Sequence, residues 1–304
     1  MLLGVTPWNL DDRSAASLSD QARTAEALGY ASFWLPESHF SEHAIPDPLM
    51  LLAGVAAATS NIQLATTSYL LPLRNPLQAA EQVAVLDQLS NGRVILGVGR
   101  GYAPAMLRAF NVVPSEKRKL FERNLELMQR AWAGEPITIA EGEDPVILDP
   151  LPVQRPHPPI WVAAFGPKAL AQAGRLGLPY LASPMETLED LEANLAVHGA
   201  AAREAGHDEV ATRPIMRTVF IGNSAREVRS VKERLQSVVP LTRRSKETVV
   251  DDWALIGESG FVAEKLAEYR QRLRTTHVVV TRLRIGGIEE HRLRESVARV
   301  CELL

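Results

Sequence analysis

The sequence predicts an α/β fold, namely a single (β/α)₈ TIM barrel that forms one domain over residues 1–304. Short apolar segments alternate with segments whose apolar residues recur at helical spacing, and about eight such strand–helix units follow one another. A helix between successive strands implies that the strands are parallel. No G-x-G-x-x-G follows the first strand, which disfavours an open dinucleotide-binding sheet.

Eight segments have the length and apolar composition of buried strands. They are residues 2–6, 31–35, 62–67, 93–98, 160–164, 180–183, 215–221 and 277–284. Asn75 followed by Pro76 is typical of a helix cap with a first-turn proline, and it marks one helix start. A longer helix from Pro114 carries a stripe of apolar side chains that predicts its buried face. The stripe consists of Phe121, Leu125, Met128 and Trp132.

Two segments interrupt this alternation and predict insertions after the fourth and seventh strands. Residues 133–159 are rich in proline and acidic side chains, which favours an irregular segment with room for a small hairpin. Residues 240–256 hold few apolar side chains before Trp253, so this segment is expected to be the least stable part of the fold. We expect it to act as a mobile lid near the barrel mouth; a surface insertion without a role is the alternative.

The composition restricts the possible partners. The net charge is −3 with both signs interspersed, which argues against a nucleic acid or an anionic membrane. Cys301 is the single cysteine, so no intrachain disulfide can form, as suits a reducing cytoplasm. The N-terminus lacks the basic region of a signal peptide, and the most apolar stretch, residues 49–58, is too short to span a bilayer. A cytoplasmic location is expected.

Functional sites of such barrels lie at the carboxyl ends of the strands, and the first candidate segment follows the second strand. It contains Glu37, His39 and His43. These side chains favour an acid–base histidine in a wall for substrate and cofactor. Joint metal ligation by the two histidines would need a helix, whereas the segment resembles a loop, so no metal site is predicted. A loop of capping and ion-paired polar groups is the alternative without a function.

Two further candidates follow the third and fourth strands. The hydroxyls of Thr67 and Ser68 can bond the heteroatoms of a flat ring, although threonine is also common in strands. In the next segment glycines flank Arg100, and Gly101 follows it. Glycine lets a ligand approach the backbone, and a guanidinium is a planar set of donors suited to a phosphate. A turn with an ion-paired surface arginine is equally compatible with this segment.

The fourth candidate lies between the fifth strand and its helix, at Phe165, Gly166, Pro167 and Lys168. Proline suits the first helical position, so the neighbouring amides would face an anion at the positive end of the helix. An ordinary strand–helix turn with an exposed lysine is the alternative.

These segments together resemble the bacterial luciferase-like family of flavin and deazaflavin oxidoreductases. The similarity rests on the order of several motifs, with the strongest agreement over residues 1–183. The motifs are F-W-L-P-E-S-H-F at 33–40, L-L-P-L-R-N-P at 70–76, L-D-Q-L-S-N-G-R at 86–93, G-V-G-R-G at 97–101 and P-V-Q-R-P-H-P-P-I-W at 152–161.

The resemblance implies a bound FMN, with Arg100 on its phosphate and a cis peptide bond at Thr67–Ser68 behind the ring. It implies catalytic roles for His39 and Glu37, and cofactor contacts at Gly101, Phe165, Gly166 and Lys168. The first histidine of the family's E-H-H-F is Ser38 in this chain, which argues against the light-emitting aldehyde chemistry. Backbone amides and Lys168 would replace the family's phosphate-binding hydroxyls after the fifth strand.

The function that the resemblance implies is a monooxygenase that uses reduced FMN and oxygen on a small organic substrate. A separate flavin reductase is the implied partner, and apolar helices at residues 49–58 and 79–89 predict a homodimer. Hydride transfer with coenzyme F-420 is the first rival, a non-catalytic flavin-binding barrel the second, and a metal-dependent hydrolase the most distant.

Overall fold

The computed structural model describes residues 1–238 and 249–303. Strands and helices alternate along the chain, and every predicted strand is present. The strands are β1 (Leu2–Val5), β2 (Ser32–Leu35), β3 (Gln63–Thr66), β4 (Tyr69–Leu70), β5 (Val94–Gly99), β6 (Ile160–Ala163), β7 (Tyr180–Leu181), β8 (Pro214–Ile221), β9 (Ala254–Gly257) and β10 (His277–Thr281). Of these, β4 and β9 were not predicted.

The helices lie between the predicted strands and after the last of them. They are α1 (Ala15–Ala27), α2 (Pro48–Ala58), α3 (Pro76–Leu89), α4 (Pro104–Ala109), α5 (Lys117–Trp132), α6 (Pro167–Arg175), α7 (Leu188–Glu204), α8 (Ala225–Val238), α9 (Ser259–Leu273) and α10 (Glu290–Cys301). Of these, α4 was not predicted. The long helix begins at Lys117 rather than Pro114, because a separate turn precedes it, in which Glu116 N donates to Val113 O.

The chain divides into two compact units. The first comprises Met1–Arg13, Thr24–Phe33 and Ala164–Leu304, and the second Ser14–Arg23 and Trp34–Ala163. In the first unit β10 lies between β1 and β8, and all three strands are parallel. The added strand β9 pairs with the second half of β8, in parallel, from Thr218↔Ala254 onward.

In the second unit β5 is the central strand. It pairs in parallel with β3, β4 and β6, and each of its six residues is buried. Gly97 is required in this strand, because a Cβ there would lie 1.9 Å from the carbonyl oxygen of Thr66. The parallel α/β fold predicted from the alternation is therefore present.

Two predicted features of the helices are confirmed. The Asn75 side chain accepts hydrogen bonds from Leu77 N and Gln78 N at the start of α3, and Pro76 is the first helical residue. The apolar stripe of α5 is buried, and Trp132 Nε1 donates to Ala80 O at 3.0 Å. The stripe thereby joins α5 to α3.

The first predicted insertion agrees with expectation, and part of the second differs from it. Residues 133–159 hold an antiparallel bridge between Ile137 and Val146, which fits the small hairpin. Within the predicted lid, residues 240–248 lie outside the described residues. The remainder is regular: a 3₁₀ turn at Val250–Asp252 leads into β9, and Val250, Trp253 and Ile256 pack in the core. The prediction of an irregular, poorly anchored segment is wrong for this part, because its apolar side chains on both sides of Asp251 and Asp252 are buried in the core.

Helices α2 and α3 pack against each other in the second unit. Leu49, Leu52 and Val55, which we expected at a dimer face, are buried within the unit. Met50, Val85 and Leu89 are exposed on the same two helices.

Throughout residues 1–238 and 249–303, each helix is too short or too polar to traverse a bilayer.

Candidate functional site

Arg100 lies directly after β5 and is only 7% exposed. Its Nη1 donates to Ala163 O at 3.2 Å, and its guanidinium stacks 4.5 Å above the centre of the Phe121 ring in α5. These contacts hold the guanidinium in a fixed position. A carbonyl and an aromatic face orient the guanidinium, and neither group carries a charge of its own.

Two further cations from the start of α5 lie near Arg100. Lys117 Nζ donates to Gly101 O at 2.9 Å, in the glycine-containing turn that follows Arg100. Burial, and then repulsion by Arg118, lower the pKa of Arg100 to about 10, while Glu122 acts in the opposite direction. Burial, together with Arg100 and Arg118, also lowers the pKa of Lys117. Cations that repel one another while desolvated favour a bound anion.

The peptide bond between Thr67 and Ser68 is cis, as the resemblance implies. It joins β3 to β4, and Thr67 N donates to Leu35 O at the end of β2. A Cβ added at Gly99 would lie 2.1 Å from Ser68 Oγ, so the hydroxyl packs directly on the glycine backbone. Ser68 is therefore adjacent to the strand end that carries Arg100.

A buried carboxylate is the centre of a second cluster. The Glu37 side chain follows β2 and is fully buried; its Oε2 accepts from Leu70 N at 3.0 Å. Its Oε1 lies 2.7 Å from His39 Nε2 and 2.7 Å from Arg74 Nη2, the latter as an ion pair. Arg74 stacks 4.4 Å from the centre of the Tyr69 ring. Glu37 and His39, both predicted site residues, are thus joined by a hydrogen bond.

The electrostatics of this cluster favour a charged Arg74. Burial alone would lower the pKa of Arg74, but Glu37, Tyr69 and Asp47 outweigh it, and the pKa is raised. Burial is also the main reason that the pKa of Tyr69 is raised, so this phenol is neutral. Arg74 therefore stays charged beside the Glu37 carboxylate.

Aromatic rings surround the imidazole of His39. The Phe110 ring lies edge-on at 4.8 Å and the Phe40 ring at 5.8 Å, and Phe40 is 73% exposed. Phe40 has a φ of +55°, a left-handed conformation that is uncommon for a bulky side chain. Ser38, at the position of the family's first histidine, accepts a hydrogen bond from Ile45 N and thereby closes the loop.

His43 makes a different contact from His39. Its side chain is about half exposed and lies 3.6 Å from Glu42. Over the described ranges 1–238 and 249–303, no three His, Cys, Asp or Glu side chains are grouped so that they could hold a metal ion.

The remaining predicted site residues lie in the first unit, and their placement is described for that unit alone. Gly166 has a φ of +81° and precedes α6, with Pro167 at the first helical position as predicted. A Cβ at Gly166 would meet nothing within 4 Å, and Phe165 is 76% exposed. Lys168 is also exposed. The helix start is therefore open to an approaching ligand.

Sequence reasoning missed Lys117, Arg118 and Arg74 as members of the site. Lys117 and Arg118 begin a helix whose polar face looks solvated, so no local pattern separates them from surface charges. Arg74 belongs to the motif L-L-P-L-R-N-P, which was used for the resemblance but not for chemistry. The signal available for Arg74 was its position as a charged residue directly after an apolar run of leucines and a proline.

The fold and these clusters define an α/β protein that holds positive charge and a buried glutamate–histidine pair at the carboxyl ends of parallel strands. The chain belongs to the luciferase-like monooxygenase family, whose sequence model matches residues 2–239.

Curated relatives resemble parts of the chain. The 2,5-diketocamphane 1,2-monooxygenase 1 of Pseudomonas putida is 36% identical over 138 residues, 43% of this chain and 38% of the relative. The alkanal monooxygenase alpha chain of Photorhabdus luminescens is 29% identical over 191 residues, 61% of this chain and 53% of the relative. The matched part of these relatives is thus about half of their length or less.

Solved structures resemble the whole chain. The monooxygenase RslO1 of Streptomyces bottropensis has a TM-score of 0.83 at 24% identity, covering 100% of this chain and 98% of the other. The oxygenating constituent of 3,6-diketocamphane monooxygenase of Pseudomonas putida, in complex with FMN, has 0.79 at 20%, covering 99% and 97%. The coenzyme F420 dependent tetrahydromethanopterin reductase of Methanopyrus kandleri has 0.78 at 18%, covering 100% and 98%. At these identities the likeness concerns the fold.

Proposed function

We propose that the protein is a flavin-dependent monooxygenase that uses reduced FMN and molecular oxygen, as paired-donor monooxygenases do, on a small organic substrate. The observation that carries this proposal is the buried Arg100 guanidinium with Lys117 and Arg118 beside it. Such a cluster suits a phosphate dianion, because the anion relieves the repulsion and accepts several charge-assisted hydrogen bonds. The named relatives in Pseudomonas and Photorhabdus support the choice of a monooxygenase.

The residues present fit FMN. Arg100, Lys117 and Arg118 would hold its phosphate, and Gly101 would let the ligand approach the backbone closely. When bound, reduced FMN supplies the electrons that activate oxygen. Thr67 and Ser68 would pack against the ring; the closeness of the Ser68 hydroxyl to the Gly99 backbone supports this.

The other predicted residues have roles in the same proposal. Phe165 and the amides after Gly166 would complete the cofactor site, with Lys168 as a further cation. Glu37 and His39 would serve as the catalytic pair: Glu37 fixes the proton on His39 Nε2, and the aromatic rings around His39 exclude water.

Several assembly features complete the proposal. We propose one closed (β/α)₈ barrel over residues 1–304 with insertions after the fourth and seventh strands, because the likeness to solved structures extends over the whole chain. We further propose a homodimer through the exposed apolar side chains of α2 and α3, and a separate flavin reductase as the source of reduced FMN. A cytoplasmic location agrees with the single cysteine.

Hydride transfer with coenzyme F-420 is the second candidate. It is favoured by the likeness in fold to the F420 dependent reductase of Methanopyrus kandleri. A deazaflavin cofactor would also place a phosphate near Arg100, so the cation cluster alone does not separate the two. Oxygen consumption does, because the deazaflavin transfers hydride without using oxygen.

The test has two steps. The protein is first titrated with oxidised FMN and with F-420, with flavin fluorescence as the readout. Oxygen consumption is then measured with chemically reduced FMN and a panel of small ketones and aldehydes. We expect tighter binding of FMN and substrate-dependent oxygen uptake. Preferential F-420 binding would favour the second candidate, and FMN binding without any substrate-dependent uptake would favour a non-catalytic flavin-binding protein.

A further inference from the structure

Three polar side chains that follow β2 and β4 form a short chain of contacts within the second unit. Arg74 Nη2 and His39 Nε2 each lie 2.7 Å from the same atom, Glu37 Oε1. The other carboxylate oxygen accepts from a backbone amide, Leu70 N, at 3.0 Å. The Glu37 side chain is fully buried, and only 6% of the His39 side chain is exposed. Water therefore supplies little of the solvation of this carboxylate.

A buried carboxylate requires a counter-charge, and two groups compete for this role. Arg74 is one, since Glu37, Tyr69 and Asp47 together keep it charged. Protonated His39 would be the other. Asp47, the other carboxylate that acts on Arg74, is partly exposed and accepts a hydrogen bond from Met50 N at the start of α2, so water and that amide solvate it. Within the buried group Arg74 already balances Glu37, and a second positive charge on the imidazole would leave a net buried cation. The neutral imidazole avoids this cost.

The geometry also fixes the tautomer of the neutral ring. An ionised carboxylate only accepts hydrogen bonds, so the imidazole nitrogen 2.7 Å from Oε1 carries the proton. That nitrogen is Nε2. The remaining ring nitrogen, Nδ1, then has a lone pair and can accept a proton or a hydrogen bond.

We propose that Arg74 is a positioning residue that balances the charge of Glu37 and so keeps His39 neutral, with its proton on Nε2 and Nδ1 as an acceptor. Arg74 acts through Glu37 and does not itself contact the imidazole. The acceptor Nδ1 is the atom that a base at this site would use, and to that extent the inference rests on the proposed function. The charge balance itself needs no cofactor and no substrate.

Arg74 acts in this arrangement mainly as a point charge. Its Nη2 lies 2.7 Å from Glu37 Oε1 as an ion pair without the geometry of a hydrogen bond, and its buried Nε has no acceptor among the described residues. A lysine can supply such a single contact, although it lacks the planar stacking on Tyr69. Arg74→Lys is therefore expected to rescue the effect, whereas Arg74→Gln removes the charge.

The experiment is ¹⁵N NMR of the imidazole nitrogens in the full-length protein without flavin, between pH 6 and 9, with His39→Gln to assign the signals. In the wild type at pH 7.5 we expect the widely separated signals of a neutral ring with the proton on Nε2. In Arg74→Gln we expect the two closely spaced signals of an imidazolium, because His39 becomes the counter-charge of Glu37. Arg74→Lys should restore the neutral pattern, and Arg108→Gln, at an exposed position of α4, should not change it.

A double variant separates charge balance from structural damage. In Glu37→Gln with Arg74→Gln no buried charge remains, so His39 is expected to be neutral again at pH 7.5, and this variant tolerates the loss of Arg74 better than the single one. A protonated His39 in the wild type at this pH, or a neutral His39 in folded Arg74→Gln, would overturn the proposal. Flavin titration of the same samples tests the proposed function separately, since the NMR result does not depend on flavin.

Discussion

Gln154 donates two hydrogen bonds to the carboxylate of Asp87, one from its backbone N and one from its side-chain Nε2, each 2.8 Å long. Asp87 is fully buried in α3, and Gln154 also donates to Val94 O in β5. The two residues belong to two motifs that carry the family resemblance, L-D-Q-L-S-N-G-R and P-V-Q-R-P-H-P-P-I-W. Hydrogen bonds therefore join these two motifs to each other and to β5, the strand that precedes Arg100.

Asp87→Ala should destabilise the protein by about 2–4 kcal/mol, because the amides of Gln154 lose a buried charged acceptor. Urea unfolding monitored by circular dichroism measures this. Gln88→Ala is the matched control: its Nε2 donates to Leu151 O at an exposed position, so a loss below about 1 kcal/mol is expected. Equal losses for the two variants would contradict a structural role for the Asp87–Gln154 pair.

Arg100→Ala should weaken FMN binding by about 1.5–3 kcal/mol, the range for hydrogen bonds to charged groups. Riboflavin, which lacks the phosphate, should bind wild type and variant with similar affinity. Both ligands can be titrated by fluorescence quenching. Arg108→Ala in the exposed part of α4 is the control for loss of a nearby positive charge. An unchanged FMN dissociation constant in Arg100→Ala would refute the phosphate assignment.

The same cluster predicts how FMN affinity depends on pH. Burial and Arg118 lower the pKa of Arg100 to about 10, and bound phosphate would raise it again. A group whose pKa is higher in the complex contributes affinity below its pKa in the free protein, and this contribution is lost as pH rises. The ratio of FMN to riboflavin affinity should therefore fall by up to about tenfold per unit above pH 10. A ratio that stays constant up to pH 11, in protein shown to remain folded, would speak against this.

Leu89→Glu and Met50→Glu should each shift a homodimer toward monomers, because they place a charge on the exposed apolar face of α2 and α3. Light scattering at micromolar concentration measures the mass. Glu81→Gln, also exposed on α3, is a control that should leave the mass unchanged. A monomeric mass for the wild-type protein would refute the proposed dimer.

The strands could be predicted from the sequence because each is buried among neighbours and therefore reads as an apolar run. The strands that were missed had weaker signals: β4 has two residues, and β9 has four and begins two residues after the polar pair Asp251 and Asp252. Local composition also marked Arg100, since glycines next to an arginine after a strand are distinctive.

Contacts between distant parts of the chain were harder to predict. Nothing in the sequence near Glu37 indicates that Arg74 is its partner, and nothing near Arg100 indicates Lys117 and Arg118. Glu37 and Arg74 meet because parallel strands bring their carboxyl ends to one edge of a sheet, and Lys117 and Arg118 reach Arg100 from the start of α5. Sequence periodicity reports only which face of an element is buried. A charged residue in the sequence does not indicate which distant residue it contacts in the fold.

The Asp87–Gln154 connection has a practical consequence for protein engineering. It fixes the chain before β6 to α3 and β5, so these contacts, which support the register of β6 against β5, come from residues outside 133–153. The turn around Gly142 is exposed and has open space around it. A reporter peptide or a small domain could be grafted there, and the cation cluster beside Arg100 would keep its geometry. The turn around Gly142 is therefore a suitable position for a fusion partner or an immobilisation tag.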